Sequence, residues 1–303
     1  MIPRTHPVLS GPGIVVADGG LATELERRGN DLSDPLWSAR LLVDSPAEVV
    51  AAHAAYFRAG ARIATTASYQ ASFTGFAARG LGFDDTAALL RRGVELADAA
   101  RQEVAGDGGQ RWIAASVGPY GAVLADGSEY RGRYGKTVAE LRAWHRPRLE
   151  VLAGSGADLL AVETVPDVDE AEALVDLVRE LGVPAWVSYT VDGDRTRAGQ
   201  PLDEAFAVVD GVDEVIAVGV NCCRPQDVPG AIRTARRVVD KPVVVYPNSG
   251  EDWTGTWTGA ARFDAAAARG WAADGASVIG GCCRVGPELI AGVADLLRAE
   301  RPG

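Results

Sequence analysis

Short β-branched segments alternate with longer amphipathic stretches along the whole 303-residue chain, and this alternation restricts the fold more than any other feature. Candidate strands are Ile14–Ala17, Ala61–Thr66, Trp112–Val117, Asp158–Glu163, Pro184–Thr190, Val215–Val220, Pro242–Tyr246 and Ala276–Ile279. Most are continuous apolar runs, the pattern of strands buried on both faces of a parallel sheet. Helical periodicity follows each one, over Pro46–Ala59, Asp84–Val104, Val138–Gly154, Val168–Leu181, Leu202–Asp210, Gln226–Val239, Asp264–Ala273 and Pro287–Glu300. Helix-start signals support several of these, such as Asp44-Ser45-Pro46 and Asp264 before an alanine run. Eight βα units predict a (β/α)8 barrel, an α/β fold. A doubly wound sheet is the alternative, weakened because no Gly-rich phosphate loop joins a strand to a helix. With no linker or low-complexity stretch, residues 1–303 read as a single barrel domain.

The first three units are longer than the about 30 residues that a minimal βα unit needs. The excess must lie in the βα loops, where barrel enzymes build their active sites. Those loops hold Trp37, Tyr69, Phe73, Tyr120, Tyr130 and Tyr134, and the seventh adds Trp253 and Trp257. The net charge of −11 argues against an extended nucleic-acid surface or an anionic membrane partner. No apolar run reaches the roughly 18–20 residues of a membrane span, and the first residues lack a signal-peptide pattern. A cytoplasmic location and a monomer are therefore expected.

All four cysteines fall in two adjacent pairs, Cys222-Cys223 and Cys282-Cys283, after the sixth and eighth strands. The histidines, His6, His53 and His145, are scattered, so a soft metal would have to be held by sulfur. Sixty residues between the pairs is wrong for a local zinc knuckle and suits a site assembled across a barrel mouth. Consecutive strand residues point to opposite faces, so Cys282 and Cys283 can share a metal only where the chain leaves β geometry. Gly280-Gly281 is expected to supply that freedom. Three thiolates leave one tetrahedral position open, as in a catalytic zinc site. A fourth thiol entering there would be deprotonated by coordination. Buried packing is the competing reading of the cysteines, and strand parity does not choose between Cys222 and Cys223.

Motifs along nearly the whole chain resemble the zinc-dependent homocysteine S-methyltransferases, most closely those using S-methylmethionine or S-adenosylmethionine. The resemblance is carried by Asp18-Gly19-Gly20-Leu21-Ala22-Thr23-Glu24-Leu25-Glu26, Asp34-Pro35-Leu36-Trp37-Ser38-Ala39 and Thr66-Ala67-Ser68-Tyr69-Gln70-Ala71. It continues in Ser116-Val117-Gly118-Pro119-Tyr120-Gly121-Ala122, Ala125-Asp126-Gly127-Ser128-Glu129-Tyr130, Glu163-Thr164-Val165-Pro166 and Gly219-Val220-Asn221-Cys222. Tyr246-Pro247-Asn248-Ser249-Gly250-Glu251 and Gly280-Gly281-Cys282-Cys283 complete it.

The resemblance implies Zn2+ held by Cys222, Cys282 and Cys283, with Cys223 outside the ligand set. It also implies that Asp18 and Glu163 bind homocysteine, through its ammonium group. Amides near Gly19 and Gly20 are placed to meet its carboxylate. Aromatic faces attract a sulfonium by about 0.5–2 kcal/mol each, and Trp37, Tyr69, Tyr120 and Tyr130 are candidates by loop position. Asn221, Asn248, Glu251 and Ser116 are candidates for orienting the donor, while Arg195–Arg197 and Arg233–Arg237 read as solvated faces. The expected partners are small molecules, homocysteine and a sulfonium methyl donor. Alternative readings are a betaine or methyl-corrinoid donor with the same acceptor, or a non-catalytic zinc- or thiol-binding protein.

Overall fold

All eight expected strands form, each within a few residues of its expected bounds. In the computed structural model, which describes residues 6–11, 13–32, 37–253 and 257–299, they are β1 (Val15–Val16), β2 (Ile63–Thr65), β3 (Trp112–Val117) and β4 (Leu159–Val165). The others are β5 (Ala185–Tyr189), β6 (Val215–Asn221), β7 (Val243–Tyr246) and β8 (Ala276–Ile279). Every neighbouring pair is parallel, β3 on β4 for example in the register Ala114 to Leu159 and Val117 to Val162. The sheet order runs β1, β8, β7, β6, β5, β4, β3, β2. A bridge between Ala17 and Ile63 closes it, with the Asp18 N–H donating to the Ile63 carbonyl at 3.0 Å. The fold is the (β/α)8 barrel.

Alternate strand residues fill the interior: Ala17, Ile63, Ala114, Leu159, Ala161, Trp186, Ala217, Val244, Tyr246 and Val278. Val8, in a 3-10 turn over Pro7–Leu9, joins this cluster at the N-terminal end of the strands. The outward residues of the same strands pack beneath eight principal helices. These are α1 (Pro46–Arg58), α2 (Phe83–Glu103), α3 (Val138–Ala153), α4 (Val168–Leu181), α5 (Leu202–Ala207), α6 (Val228–Val238), α7 (Ala265–Asp274) and α8 (Pro287–Ala299). Thr137 and Glu140 form a capping box at the start of α3, a device whose cap residue alone contributes about 1 kcal/mol. Asp167 caps α4 and Asp264 caps α7. Helix α5 ends at Ala207, short of the expected Asp210, and residues 208–211 continue as turns that finish at Gly211, whose φ is +67°.

The long early loops contain structure of their own. Helix Leu21–Arg27 and two further turns over Trp37–Arg40 and Leu41–Asp44 follow β1, helix Phe73–Ala77 follows β2, and helix Tyr120–Leu124 with a turn at Ser128–Tyr130 follows β3. Two hairpins, Val191–Asp192 with Arg195–Thr196 and Asp252–Trp253 with Trp257–Thr258, rise after β5 and β7. No helix among the described residues is long and apolar enough to cross a membrane.

Candidate metal centre and substrate face

Three thiols meet at the C-terminal mouth of the barrel. The sulfurs of Cys222, Cys282 and Cys283 all lie within 4.8 Å of one another, and Cys222 Sγ is 3.8 Å from Cys283 Sγ. Cys222 directly follows β6 in the left-handed region, with φ +48°. That unfavourable conformation, on a non-glycine residue, interrupts strand parity, which would otherwise have sent Cys223 the same way as interior Ala217 and Cys222 the opposite way. Cys222 reaches the mouth, while Cys223 is buried in the apolar layer between sheet and helices. Burial raises the Cys223 thiol above its usual range.

Cys282 and Cys283 are held by their backbone. The Cys282 N–H donates to Pro247 O at 2.8 Å, the Cys283 N–H to Asn248 Oδ1 at 3.1 Å, and the Ser249 N–H to Cys283 O at 3.0 Å. Gly280 and Gly281 act differently from the expectation. Neither has positive φ; the left-handed residue of this turn is Arg284, at +66°. The glycines are needed for space, because a Cβ on Gly280 would lie 2.7 Å from Asp18 O and one on Gly281 2.1 Å from Val285 Cγ1. Gly19 and Gly20 match them across the gap, where a Cβ would fall 2.3 Å from Val285 O and 2.5 Å from Cys282 O. Gly19, Gly20 and Gly280 therefore let the loops after β1 and β8 touch backbone to backbone, while Gly281 makes room for the Val285 side chain within its own loop. The Gly20 amide is used in that contact, donating to Val285 O at 3.0 Å, so it is not open to a carboxylate.

Hydrogen bonds from Cys282 and Cys283 pull the Cys222 thiol well below its ordinary range, which makes it the most acidic of the three. The Tyr130 hydroxyl adds a contact to Cys222 Sγ at 3.0 Å.

Two carboxyls stand beside the thiols. Asp18, after β1, accepts from the Thr65 N–H at 2.7 Å and the Thr65 hydroxyl at 3.0 Å. Glu163, inside β4, accepts from the Ser116 hydroxyl. Burial raises Asp18 to about 8 and Glu163 to about 7, against the hydrogen bonds that favour ionisation. The folded chain thus holds protons that the unfolded chain loses near pH 4. Between about pH 4 and about 8 it binds more protons than the unfolded chain, so stability falls as pH rises. Asp18→Asn should flatten the fall of the melting temperature over that range in the absence of amino acid. An unchanged slope would mean that Asp18 is already ionised in the fold.

A buried polar cluster anchors the loops after β2 and β3. Arg148 and His145 project from α3 and Glu170 from α4, all essentially without exposure. Arg148 donates to Gly118 O at 2.5 Å and His145 Nδ1 at 2.9 Å, and reaches Tyr69 O and Ala71 O at 3.5 Å. His145 Nε2 donates to Glu170, which also accepts the Tyr120 N–H at 2.5 Å. Desolvation lowers His145 to about 4, keeping the ring neutral as this donor pattern requires. His145 is a loop anchor; nothing in its sequence neighbourhood signals that, because its partners come from other elements.

The expected donor residues divide. Tyr130 reaches the thiols, and Tyr69 lies against Gly118 close enough to Cys222 to feel its charge. Tyr120 packs with Trp144 and Tyr134, ring centroids 4.9 and 5.3 Å away. The side chain of Trp37 lies outside the described residues. Asn221 is spent internally, accepting from the Thr164 N–H and Ser188 hydroxyl and donating to the Thr164 hydroxyl at 2.7–2.8 Å. These bonds hold Thr164 at φ +60°, directly after Glu163. Asn248 holds Cys283, and Glu251 pairs with Arg284 at 3.3 Å and Ser249 at 2.7 Å. Sequence reasoning missed Thr65, the partner of Asp18, and Arg197, whose guanidinium lies 5.8 Å from the Tyr130 ring centroid. Barrel order offered a signal for Thr65, since β1 and β2 must be neighbours once the sheet closes.

A cavity of about 540 Å3 opens at the other end of the barrel, lined by Arg58, Arg62, Arg111, Arg298 and one carboxylate, Glu103. It has no thiol, so the grouped chemistry belongs to the mouth.

Residues 15–297 match the family model described as Homocysteine S-methyltransferase. The homocysteine S-methyltransferase YbgG of Bacillus subtilis is 44% identical, covering 99% of both chains. The homocysteine S-methyltransferase of Escherichia coli is also 44% identical, over 94% of this chain and 95% of its own. A crystal structure of the Escherichia coli homocysteine methyltransferase MmuM in its metallated form superposes with a TM-score of 0.86 at 43% identity, covering 95% of this chain and 97% of that one. With the motifs, the barrel and the thiol cluster in agreement, the chain belongs to the homocysteine S-methyltransferase family.

Proposed function

We propose that this methyltransferase moves a methyl group from a sulfonium donor, S-methylmethionine foremost and S-adenosylmethionine as the alternative, to L-homocysteine, giving methionine. The observation that carries the reading is the convergence of three thiols with two buried carboxyls at the barrel mouth. Three sulfurs within 4.8 Å form a soft donor set that fits zinc, with Cys222, Cys282 and Cys283 as ligands. That MmuM has been solved in a metallated form supports a metal-dependent reading. A zinc ion held by these three residues would favour the ionised form of an acceptor thiol that is otherwise only a few per cent thiolate at neutral pH.

The remaining work falls to the chain itself. Asp18 and Glu163 ionise when an ammonium group enters between Thr65 and Ser116, and so hold homocysteine by its amino end. The acceptor thiolate attacks the donor methyl in line, the S+–CH3 bond breaks, and the donor departs as a neutral thioether. No proton is needed by the leaving group, so the site requires no general acid. Tyr69 and Tyr130 supply aromatic surface to the cation and shield the thiols from water. We read residues 1–303 as one catalytic domain, a cytoplasmic monomer whose free thiols suit a reducing compartment.

Reduced, zinc-loaded protein given homocysteine and S-methylmethionine should form methionine, while a parallel reaction with betaine stays silent. Turnover with betaine, or none with either sulfonium, overturns the donor assignment.

A further inference from the structure

Two side chains of opposite charge that do not pair with each other lie near the thiols, one next to Tyr130 in the chain and one over its ring. Glu129 precedes it, and its Oε2 is buried with no hydrogen-bond partner. Arg197 lies over the ring, and its Nε is likewise buried without a partner. Neither group forms an ion pair among the described residues, although both are close enough to Cys222 to act on it electrostatically. Arg131, the cation nearest Glu129 in sequence, is turned to the Ser128 hydroxyl at 2.6 Å and to Asp126 at 4.0 Å. Glu129 is also held in place: a Cβ on Gly121 would fall 2.6 Å from its backbone nitrogen, so the turn at Ser128–Tyr130 seats directly on helix Tyr120–Leu124. A partly buried carboxylate or guanidinium left unpaired is costly unless a ligand supplies the opposite charge. Two such groups of opposite sign, both within electrostatic reach of Cys222, complement a ligand with both a cation and a carboxylate.

We propose that Glu129 and Arg197 are the two ionic holders of the methyl donor, with Glu129 facing the sulfonium and Arg197 taking the α-carboxylate. The assignment rests on the sulfonium reading above and deepens it. It also predicts where the effect will appear. The donor's charge disperses as the methyl leaves, so Glu129 binds the ground state at least as strongly as the transition state, and its loss raises KM without lowering kcat. The neutral thioether product keeps no charge for Glu129 to hold, which favours its release.

The test uses Glu129→Gln and Arg197→Met, each zinc-loaded, with two probes. One is S-methylmethionine as donor. The other is its uncharged carbon isostere, in which CH replaces the sulfonium sulfur, as a competitive inhibitor. Glu129→Gln should raise KM for the sulfonium by about tenfold or more and leave inhibition by the isostere nearly unchanged. Arg197→Met should weaken both probes alike, since both carry the carboxylate. The homocysteine KM and the zinc content should hold in both variants. Equal weakening of both probes by Glu129→Gln would place Glu129 on the donor's ammonium and overturn the assignment. No change in either probe would make it a packing residue, and a rise confined to the homocysteine KM in Arg197→Met would move that arginine to the acceptor. Failure of the parent reading is separate, because wild-type protein would then show no turnover with the sulfonium.

Discussion

Cys282→Ala should lose bound zinc and methyl transfer together, falling to the background rate. Two thiolates and water make a far weaker site than three thiolates, and the acceptor thiol loses the ion that ionises it. Cys222→Ala should behave the same way, because its sulfur is the third member of the same cluster. Cys223→Ala is the contrast. Its side chain belongs to the apolar layer outside the sheet, so the loss is a small packing defect of about 1 kcal/mol with zinc and turnover retained. Zinc per chain after dialysis, measured beside methionine formation, decides the matter. Full zinc retention in Cys222→Ala or Cys282→Ala would remove that residue from the ligand set. Complete zinc loss in Cys223→Ala would reverse the choice between neighbours.

The second large effect is expected at the carboxyls. Glu163→Gln and Asp18→Asn should each raise the homocysteine KM by about ten- to a hundredfold, the range expected when a charge-assisted hydrogen bond is lost. Both substitutions keep the shape and most of the hydrogen bonding, so the thiol cluster and its zinc should be unaffected. The des-amino analogue of homocysteine separates recognition from general damage. Lacking the ammonium, it should be methylated as well by the variants as by wild-type protein, or better, because an amide leaves no carboxyl to desolvate. Equal impairment with the analogue would show that the carboxyls act on the architecture of the mouth, not on the amino group.

The barrel was legible because its signals are local. Each strand is a β-branched run short enough to cross one layer, and the bounds of β3 and β8 coincide with those expected from composition alone. Helix α4 is delimited by Asp167 at its start and by Gly182, at φ +64°, at its end. The short helices Leu21–Arg27, Phe73–Ala77 and Tyr120–Leu124 were not read, since five to seven residues give too little periodicity to distinguish from a loop. The β5 hairpin was missed for a similar reason: two-residue strands around Gly193 carry no alternation.

Residue type and order along the chain were enough to determine a barrel, the homocysteine S-methyltransferase family, and two cysteine pairs at strand C-terminal ends as the candidate holders of a soft metal. Tertiary structure alone decided how those residues divide their labour. A left-handed turn at Cys222 sends one of two adjacent cysteines to the centre and the other into packing, and φ at that residue is set by the surrounding contacts. The glycine pairs proved to be spacers, because the demand on Gly19, Gly20 and Gly280 comes from a loop more than 260 residues away in the chain, brought alongside when β1 pairs with β8. Asn221 looked free to bind a ligand and is instead saturated by Thr164 and Ser188, while Arg197 looked solvated and instead lies over Tyr130. Hydrogen-bond satisfaction depends on which strands become neighbours, and that is settled only when the sheet closes.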